Sequence, residues 1–587
     1  MRLAFDIETN GLLDKLDRVH CIVAKDLDTG QVHSFDPTSL PHALELLSSA
    51  EELVGHNILG FDLPALRKVY PDWLFQGKVT DTLVLSRLVH SDLVTEDFSF
   101  GYTPEQLAKR LFGSHSLKAW GMRLTHFKDD FDGGDWSAWS SEMQYYCEQD
   151  VEVTVSLYNH LNVSTYSPTA INLEHDLAVI CEEIGDNGWT FDHKAAGDLY
   201  ASLATERAAL EDELQELFEP WEVHETFIPK VNNSKLGYTK GEPFIKTQVI
   251  TFNPASRRHI QRCLVDKYKW KPKEWTADGS AKIDETILSK LAYPEARKLA
   301  RMFLLNKRIG QLAEGKASWL KSYSTEDGKL RHRIMSNGTV TGRATHRSPN
   351  LAQVPNLSAL YGRECRELFT VPAGYTLVGS DLSGLELRCL AHYMADDAYT
   401  AQILEGDIHT YNQKAAGLPT RDAAKTYIYA ALYGAGSKRL GEIVGGGAKE
   451  GTQLKKNFEI AVPAYRQLAN TVQNRVADRG HLIGLDGRRL PIRSAHAALN
   501  TLLQSAGAII CKQWVSLIYH NLKNEMGNNA YIMAWVHDEV QIAVKKGHEK
   551  HVGDITTRMA EKAGKAFKVQ IPISAEYSVG RTWADTH

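Results

Sequence analysis

Between Tyr531 and Val544 the chain runs Tyr-Ile-Met-Ala-Trp-Val-His-Asp-Glu-Val-Gln-Ile-Ala-Val. Two apolar, β-rich stretches joined by three polar residues have few options besides a hairpin, whose tight tip then presents His537, Asp538 and Glu539. Adjacent carboxylates beside apolar strands are costly unless a cation or a hydrogen-bonding partner neutralises them. A divalent cation held against a phosphate is one solution. An ordinary polar turn is the other, and the turn by itself does not choose.

Size and composition narrow the choice. At 587 residues the chain exceeds what one core usually supports, so several domains are expected. With 43% hydrophobic and 24% charged residues it reads as globular, and a net charge of −5 confines any nucleic-acid site to a local basic groove. Seven cysteines, an odd number with no CxxC, suit a reducing cytosol and argue against zinc ribbons and disulfide frameworks. The most apolar helical stretch, Leu499 to Ile518, is interrupted by Gln504 and Lys512 and is no membrane span. Asp6 and Glu8 stand where a signal peptide needs an apolar core. A cytoplasmic protein without a membrane partner is expected.

The first 160 residues carry acids in an ordered pattern. Met1 to Glu8 alternates as a strand, which puts Asp6 and Glu8 on one face. His56 to Asp62 opens a helix with an acid near its start, and Tyr146 and Asp150 are four apart within a helical pattern. Singly, each is also what a solvated strand, a helix dipole or a surface helix would show. Together, D-x-E, N-x4-D and Y-x3-D resemble the DEDD superfamily of 3′–5′ exonucleases, Tyr subtype. That resemblance implies an α/β, ribonuclease H-like exonuclease domain over residues 1–165. Asp6, Glu8, Asp62 and Asp150 would be the metal ligands and Tyr146 would orient the attacking water. Two-metal phosphodiester hydrolysis needs such carboxylates to clamp the attacking and leaving oxygens. All four acids are present, so an active site is expected. An attached 5′-nuclease domain ahead of this strand is not expected.

A polar stretch, Asn162 to Pro168, is expected to separate this domain from the rest. Residues from about 195 to 320 read as long amphipathic helices flanking a loop-rich insert, Val223 to Ile250. Four constellations then follow: Thr341-Gly342-Arg343-Ala344-Thr345 leading to Pro349-Asn350; Val378 to Arg388 with Asp381 at a strand end; Arg421 to Gly434; and the His537-Asp538-Glu539 turn. Arg421, Lys425, Tyr429 and Tyr433 recur every four residues and so form one stripe along a helix, cationic at its start and aromatic at its end. A nucleoside triphosphate has the same polarity. An amphipathic surface helix with an aromatic edge has it too.

In this order the four constellations resemble the family A DNA polymerases, and the details are closest to the T-seven-like phage replicative enzymes. Thr341 to His346, Gly384 to His392 and His496 to Gly507 carry that closer likeness. The resemblance implies a right-hand polymerase domain over 166–587, with thumb about 195–320, palm about 321–404 and 490–587, and fingers about 405–489. It implies two Mg2+ ions per active site, replaceable by Mn2+, held by Asp381 and Asp538 with Leu382 among the ligands and Glu539 in support. Arg421 and Lys425 would contact the β- and γ-phosphates, with His409 as a further phosphate contact. Glu386 would block a ribose 2′-hydroxyl, Tyr433 would pack below the templating pair, and Tyr429 implies easy acceptance of dideoxynucleotides. Arg343, Gln504 and His537 would bind primer–template DNA; minor-groove acceptors are alike for all correct pairs, so Arg343 and Gln504 would test shape.

The reading is therefore a replicative, proofreading DNA polymerase acting on primer–template DNA and dNTPs, with a helicase–primase or a single-stranded-DNA-binding protein as candidate partners. In the phage enzymes a long thumb loop recruits thioredoxin; the matching stretch here is much shorter, so thioredoxin dependence is not expected. A single-subunit RNA polymerase is opposed by Glu386, a bypass enzyme by the complete set of nuclease acids, and a dead scaffold by Asp381 and Asp538.

Overall fold

The structure is a computed structural model and describes residues 1–125, 134–276 and 278–587. It divides into two compact units, one formed by Met1–Thr190 with Arg331–His587 and the other by Phe191–Leu330.

The first unit opens with a five-stranded sheet, β1 (Arg2–Thr9), β2 (Val19–Asp26), β3 (Val32–Phe35), β4 (Glu52–Gly55) and β5 (Lys78–Asp81), in the order β3-β2-β1-β4-β5. The first three strands form an antiparallel meander, and β4 and β5 add on parallel to β1. β1 is the central strand and is covered on both faces. Leu3, Phe5 and Ile7 enter one cluster with Leu53, Leu63 and Leu66, while Ala4 enters another with Cys147 and Val151. Period two then places Asp6 and Glu8 on the Ala4 face, beneath the helix Ser141–Leu161.

The polar stretch expected to act as a separator is instead docked. The Tyr166 hydroxyl donates to the Leu88 carbonyl at 3.2 Å and accepts the Arg489 N–H at 3.1 Å, and Ser167 Oγ donates to the Asp486 carbonyl. Arg493 grips Asp92 with two hydrogen bonds of 2.7 and 3.1 Å. Turn-forming residues signalled a break in regular structure, but nothing in composition revealed that the break is pinned on both sides.

The central sheet of the unit is antiparallel throughout, ordered Ala530–Val536, Glu539–Lys545, Tyr375–Leu382, Ala575–Gly580. Its first three strands are buried on both faces, in one cluster with Leu177 and Ile180, with Ile509, Trp514 and Ile518 and with Val552 and Ile555, whereas Ala575–Gly580 is largely exposed. That burial explains the apolar length of the helix Ala498–Met526, whose Lys512 is fully buried against Glu174. Glu174 also meets Arg488 at 2.7 Å, and Arg488 meets Asp486 at 2.6 Å, so the buried charges compensate one another.

In the second unit, residues read as a loop-rich insert form a hairpin, Trp221–Phe227 with Phe244–Ile250, paired in register from Trp221↔Ile250 to Phe227↔Phe244. The ribbon is exposed on both faces, so its polar residues break the one-sided alternation by which a strand is recognised. Phe227, Tyr238 and Phe244 meet edge to face at 5.3 to 5.8 Å and close its tip. Among the described residues, no helix is long and apolar enough to cross a membrane.

Candidate active sites

The N-terminal site forms where β1 meets two helices. Asp62 is the first residue of the helix Asp62–Val69 and Asp150 lies within Ser141–Leu161; both are buried, as is Glu8. Burial, then repulsion from Asp81 and Asp150, pushes the Asp62 carboxyl up to about 7. That shift records negative charge the surrounding protein does not neutralise, which is what a divalent cation would supply. Asp6, Glu8 and Cys147 present donor atoms within 4.8 Å of one another. The Cys147 thiol is raised well above its ordinary value by burial, by hydrogen bonding with Cys21 and by Asp6, so it stays protonated; its Sγ lies 3.4 Å from the Asp6 carbonyl. It therefore backs the acids rather than joining them as a thiolate. Tyr146 meets Trp136 edge-on at 6.5 Å.

Sequence reasoning missed Asp81. Its carboxylate accepts the N–H groups of Asn57 and Leu59 at 3.0 and 3.1 Å and caps the next helix through Leu83 and Val84 at 2.8 and 3.3 Å. It thus fixes the turn that delivers Asp62, a turn in which Asn57 has φ 65°. The legible signal was Asp-Thr at the start of a helical run, an N-cap pattern.

The second site sits at one end of the central sheet. Asp381 stands opposite Glu539 on one side and Glu576 on the other. The hairpin tip is two residues, His537 and Asp538, because Glu539 already pairs with Val536. His537 adopts φ 59°, and its carbonyl accepts from Trp535 Nε1 and Cys511 Sγ, each at 2.9 Å. The Asp538 carbonyl takes the Leu382 N–H at 3.1 Å. These bonds fix the two aspartates on neighbouring strand ends. Desolvation in the cleft, then repulsion from Asp538 and Glu539, raises the Asp381 carboxyl to about 8; burial, then Glu386, raises Asp538 to about 6. The pair therefore fits a divalent cation by its donor type and its uncompensated charge.

Glu539 behaves differently. Burial alone would raise it, but hydrogen bonds from His587, Gln541 and Trp583 hold it below its ordinary value. His587 Nδ1 lies 2.8 Å and Gln541 Nε2 2.6 Å from its carboxylate, and Thr586 Oγ1 donates to Gln541 at 2.8 Å. The segment Trp583–His587 thus clamps the strand next to the site. Its role was not legible in sequence, although a buried Gln541 two residues after Glu539, on the same strand face, was a signal.

The stripe residues lie on the helix Arg421–Leu432, with Tyr433 as its C-cap; Ala424, Tyr427, Ile428 and Leu432 form its buried face. Arg421 Nε donates to Asp407 Oδ2 at 2.7 Å, and Asp407 Oδ1 caps the helix Ile408–Ala416 through the His409 and Thr410 N–H groups. His409 packs 6.2 Å from Tyr429 and is lowered by burial, then by Arg421 and Lys425, which groups it with those cations. The Tyr433 hydroxyl donates to Glu386 at 2.8 Å, and the Arg343 guanidinium lies 6.0 Å from the Tyr433 ring. Arg343, Glu386, Tyr433, His537 and Asp538 line one cavity of about 250 Å3. Asp381 opens instead onto a second one of about 390 Å3 with Glu539, Glu576 and His587. Gln504 is not on either wall; it bonds Asn500 at 2.8 Å along its own helix.

An antiparallel sheet with acids at its rim, facing a helix that carries cations and aromatics, is the arrangement of a nucleic-acid polymerase. In fold the chain is similar to the solved "POL domain of Pol1 from M. smegmatis complex with DNA primer-template and dNTP", at a TM-score of 0.73 and 18% identity over 100% of this chain and 95% of that one. The sequence model of DNA polymerase family A matches residues 237–585. The DNA-directed DNA polymerase of Enterobacteria phage T3 is 35% identical, with all of both chains covered, and that of Escherichia phage T7 is 35% identical with 99% of each covered. DNA polymerase I of Aquifex aeolicus is 27% identical over 58% of this chain. The chain belongs to DNA polymerase family A.

Proposed function

We propose that this chain is a DNA-directed DNA polymerase of the replicative phage type, which extends a primer 3′ end and removes misincorporated residues with a 3′–5′ exonuclease site in its first 165 residues. The observation that carries the reading is the pair Asp381 and Asp538, fixed on neighbouring strand ends with both carboxyls pushed upward by burial and by nearby acids. The two phage relatives support it over the full chain.

The residues divide the work. Two Mg2+ ions, with Mn2+ as a substitute, would be held by Asp381, Asp538 and Leu382 and would supply Lewis acidity to the primer hydroxyl and the departing pyrophosphate. Arg421, Lys425 and His409 receive the phosphates and stabilise the charge that grows as the bond to the α-phosphate breaks. Tyr429 and Tyr433 present the aromatic end of the stripe to base and sugar. Glu386, fixed by the Tyr433 hydroxyl, closes the space a 2′-hydroxyl would need. Arg343, Gln504 and His537 contact primer–template DNA.

In the N-terminal site, Asp6, Glu8, Asp62 and Asp150 would hold a second pair of Mg2+ ions, and Tyr146 would orient the hydrolytic water. The strand order β3-β2-β1-β4-β5, antiparallel then parallel, supports the ribonuclease H-like reading. The alignment to the T3 enzyme spans 706 positions against 587 residues here, so that relative has segments this chain lacks. The short ribbon Trp221–Ile250, closed by its own aromatics, supports thioredoxin-independent synthesis.

The test is a 5′-labelled primer on a longer template with Mg2+, trap DNA and no thioredoxin. Extension with dNTPs and 3′ shortening without them is the expected result. Binding without either reaction would reject it.

A further inference from the structure

Glu174, Lys512, Arg488 and Asp486 place four charges where charge is expensive, since none of their side chains is more than 2% exposed. Arg488 Nη2 stands 2.7 Å from Glu174 and 2.6 Å from Asp486, and Arg488 Nε donates to Asp486 at 2.9 Å. Lys512 pairs with the Glu174 oxygen that Arg488 also meets. Burial alone would raise the Glu174 carboxyl, but Lys512 and Arg488 hold it below its ordinary value. Replacing a buried ion set with apolar residues is often neutral or stabilising, so stability by itself gives little reason for this one. Directional bonds between charges do what apolar contacts do not: they fix orientation.

The elements so oriented belong to the polymerase site. Lys512 lies on the helix that bears Gln504 and forms part of the wall of the cavity lined by Arg343, Glu386, Tyr433 and Asp538. The other Glu174 oxygen accepts from Ser336 Oγ at 2.8 Å, and Arg488 Nη1 donates to Asn337 Oδ1 at 3.4 Å. Ser336 and Asn337 open the loop between the strands Arg333–Met335 and Thr345–Arg347, and that loop carries Arg343. It closes on itself, the Gly338 N–H donating to the Arg343 carbonyl and the Arg343 N–H to Thr339 Oγ1, each at 3.0 Å. At Gly342, where φ is 78°, a Cβ would stand 2.6 Å from Arg488 Nη1. The guanidinium therefore packs directly on the backbone one residue before Arg343, and its bonds to Glu174 and Asp486 keep it from yielding.

We propose that Arg488, locked between Glu174 and Asp486, is the positioning residue for Arg343, and that this buried network thereby sets how strongly a matched primer end is favoured over a mismatched one. This rests on the reading above in which Arg343 contacts primer–template DNA. Minor-groove acceptors stand in the same place for every matched pair and are displaced in a mismatch. A guanidinium held at that place stabilises the matched end alone. A loop free to drift loses matched extension first and leaves mismatched extension where it was.

Two charge-balanced variants of the full chain test it. Arg488→Met/Asp486→Asn removes the seat and leaves Lys512 paired with Glu174; Glu174→Gln/Lys512→Met loosens the seat and leaves Arg488 paired with Asp486. Both keep the site neutral and filled, the kind of replacement that buried ion pairs tolerate. Each is made in an Asp6→Ala/Glu8→Ala chain, so that primer ends are not shortened, and each is also combined with Arg343→Ala. The readout is kcat/KM for extending a matched and a mismatched primer end. The matched value is expected to fall about tenfold in the first variant and less in the second, with the mismatched value within about twofold, the scale of one misaligned hydrogen bond from a charged donor. In the Arg343→Ala background neither variant should lower the matched value further, because groups that act through one another do not add. An equal fall on both primer ends, or a fall that adds in full to that of Arg343→Ala, makes the network a structural brace and overturns the positioning role. If Arg343→Ala itself leaves the ratio of the two values unaltered, the DNA-contact reading of Arg343 fails and the positioning role with it. If Arg343→Ala lowers that ratio and the two network variants do not, only the positioning role fails.

Discussion

Two carboxyls raised first by burial and then by neighbouring acids tie the stability of the metal-free protein to pH. Asp381 has an ordinary value of 3.8 and stands at about 8 in the fold, so between these the folded state binds the extra proton. Stability then falls as pH rises through that window and levels off above about 8. Thermal melts with a chelator should show a melting temperature declining from pH 4 to 8, flattened by Asp381→Asn and restored by Mg2+; parallel curves for the two proteins would exclude the assignment. Asp407 offers a second residue-level test. It caps the helix bearing His409 with one oxygen and holds Arg421 Nε with the other. Asp407→Asn keeps a good cap and loses the ion pair. Because that pair is half exposed, the expected rise in KM for dNTP is only about two- to fivefold at unchanged kcat, the range of a surface ion pair. A KM equal to that of the unaltered chain would reduce Asp407 to a cap.

Elements differed in how far their sequence disclosed them. The hairpin at His537–Asp538 and the strand carrying Asp381 were legible as apolar runs buried on both faces, and the helix Arg421–Leu432 as a periodic element with one buried face. The ribbon Trp221–Ile250 was not, because both its faces are wet and its register is set by an aromatic tip. The carboxylate types of both sites could be read from spacing, and Asp81 and Asp407 also carry local helix-cap patterns, but the distant partners of Asp81, Asp407 and Gln541, namely Asn57, Arg421 and Thr586, come from folded geometry that no local pattern encodes. The segment Trp583–His587 is the extreme case. Trp583 is 1% exposed, stacks on Trp189 at 5.2 Å and donates to Glu539. Trp583→Ala should cost about 3–5 kcal/mol by denaturant unfolding, as a large buried aromatic does. Primer extension should fall beyond what the remaining folded fraction explains; a stable variant with full activity would show the clamp to be dispensable.

At the scale of the molecule, the two candidate sites use separate carboxylate sets on separate sheets, so point changes should divide them. Asp538→Ala should remove synthesis, by about a thousandfold or more if charge stabilisation is lost, and leave 3′ shortening. Asp6→Ala with Glu8→Ala should do the reverse, both read on the same labelled primer. Retained synthesis in the first or retained shortening in the second would refute the corresponding assignment. Cutting the chain should not divide them so cleanly. Tyr166 is bonded to Leu88 on one side and Arg489 on the other, His175 receives the Asp81 N–H at 2.9 Å, and Leu161 and Ile171 share an apolar seam with Leu85 and Trp120. A fragment beginning at residue 166 would open that seam to water and strip the partners from both polar ends. Limited proteolysis should accordingly leave the first unit intact until it melts as a whole. In a chain wired this way, substitution of single acids should silence the N-terminal site alone, whereas a deletion that removes the N-terminal sheet should also lower primer extension.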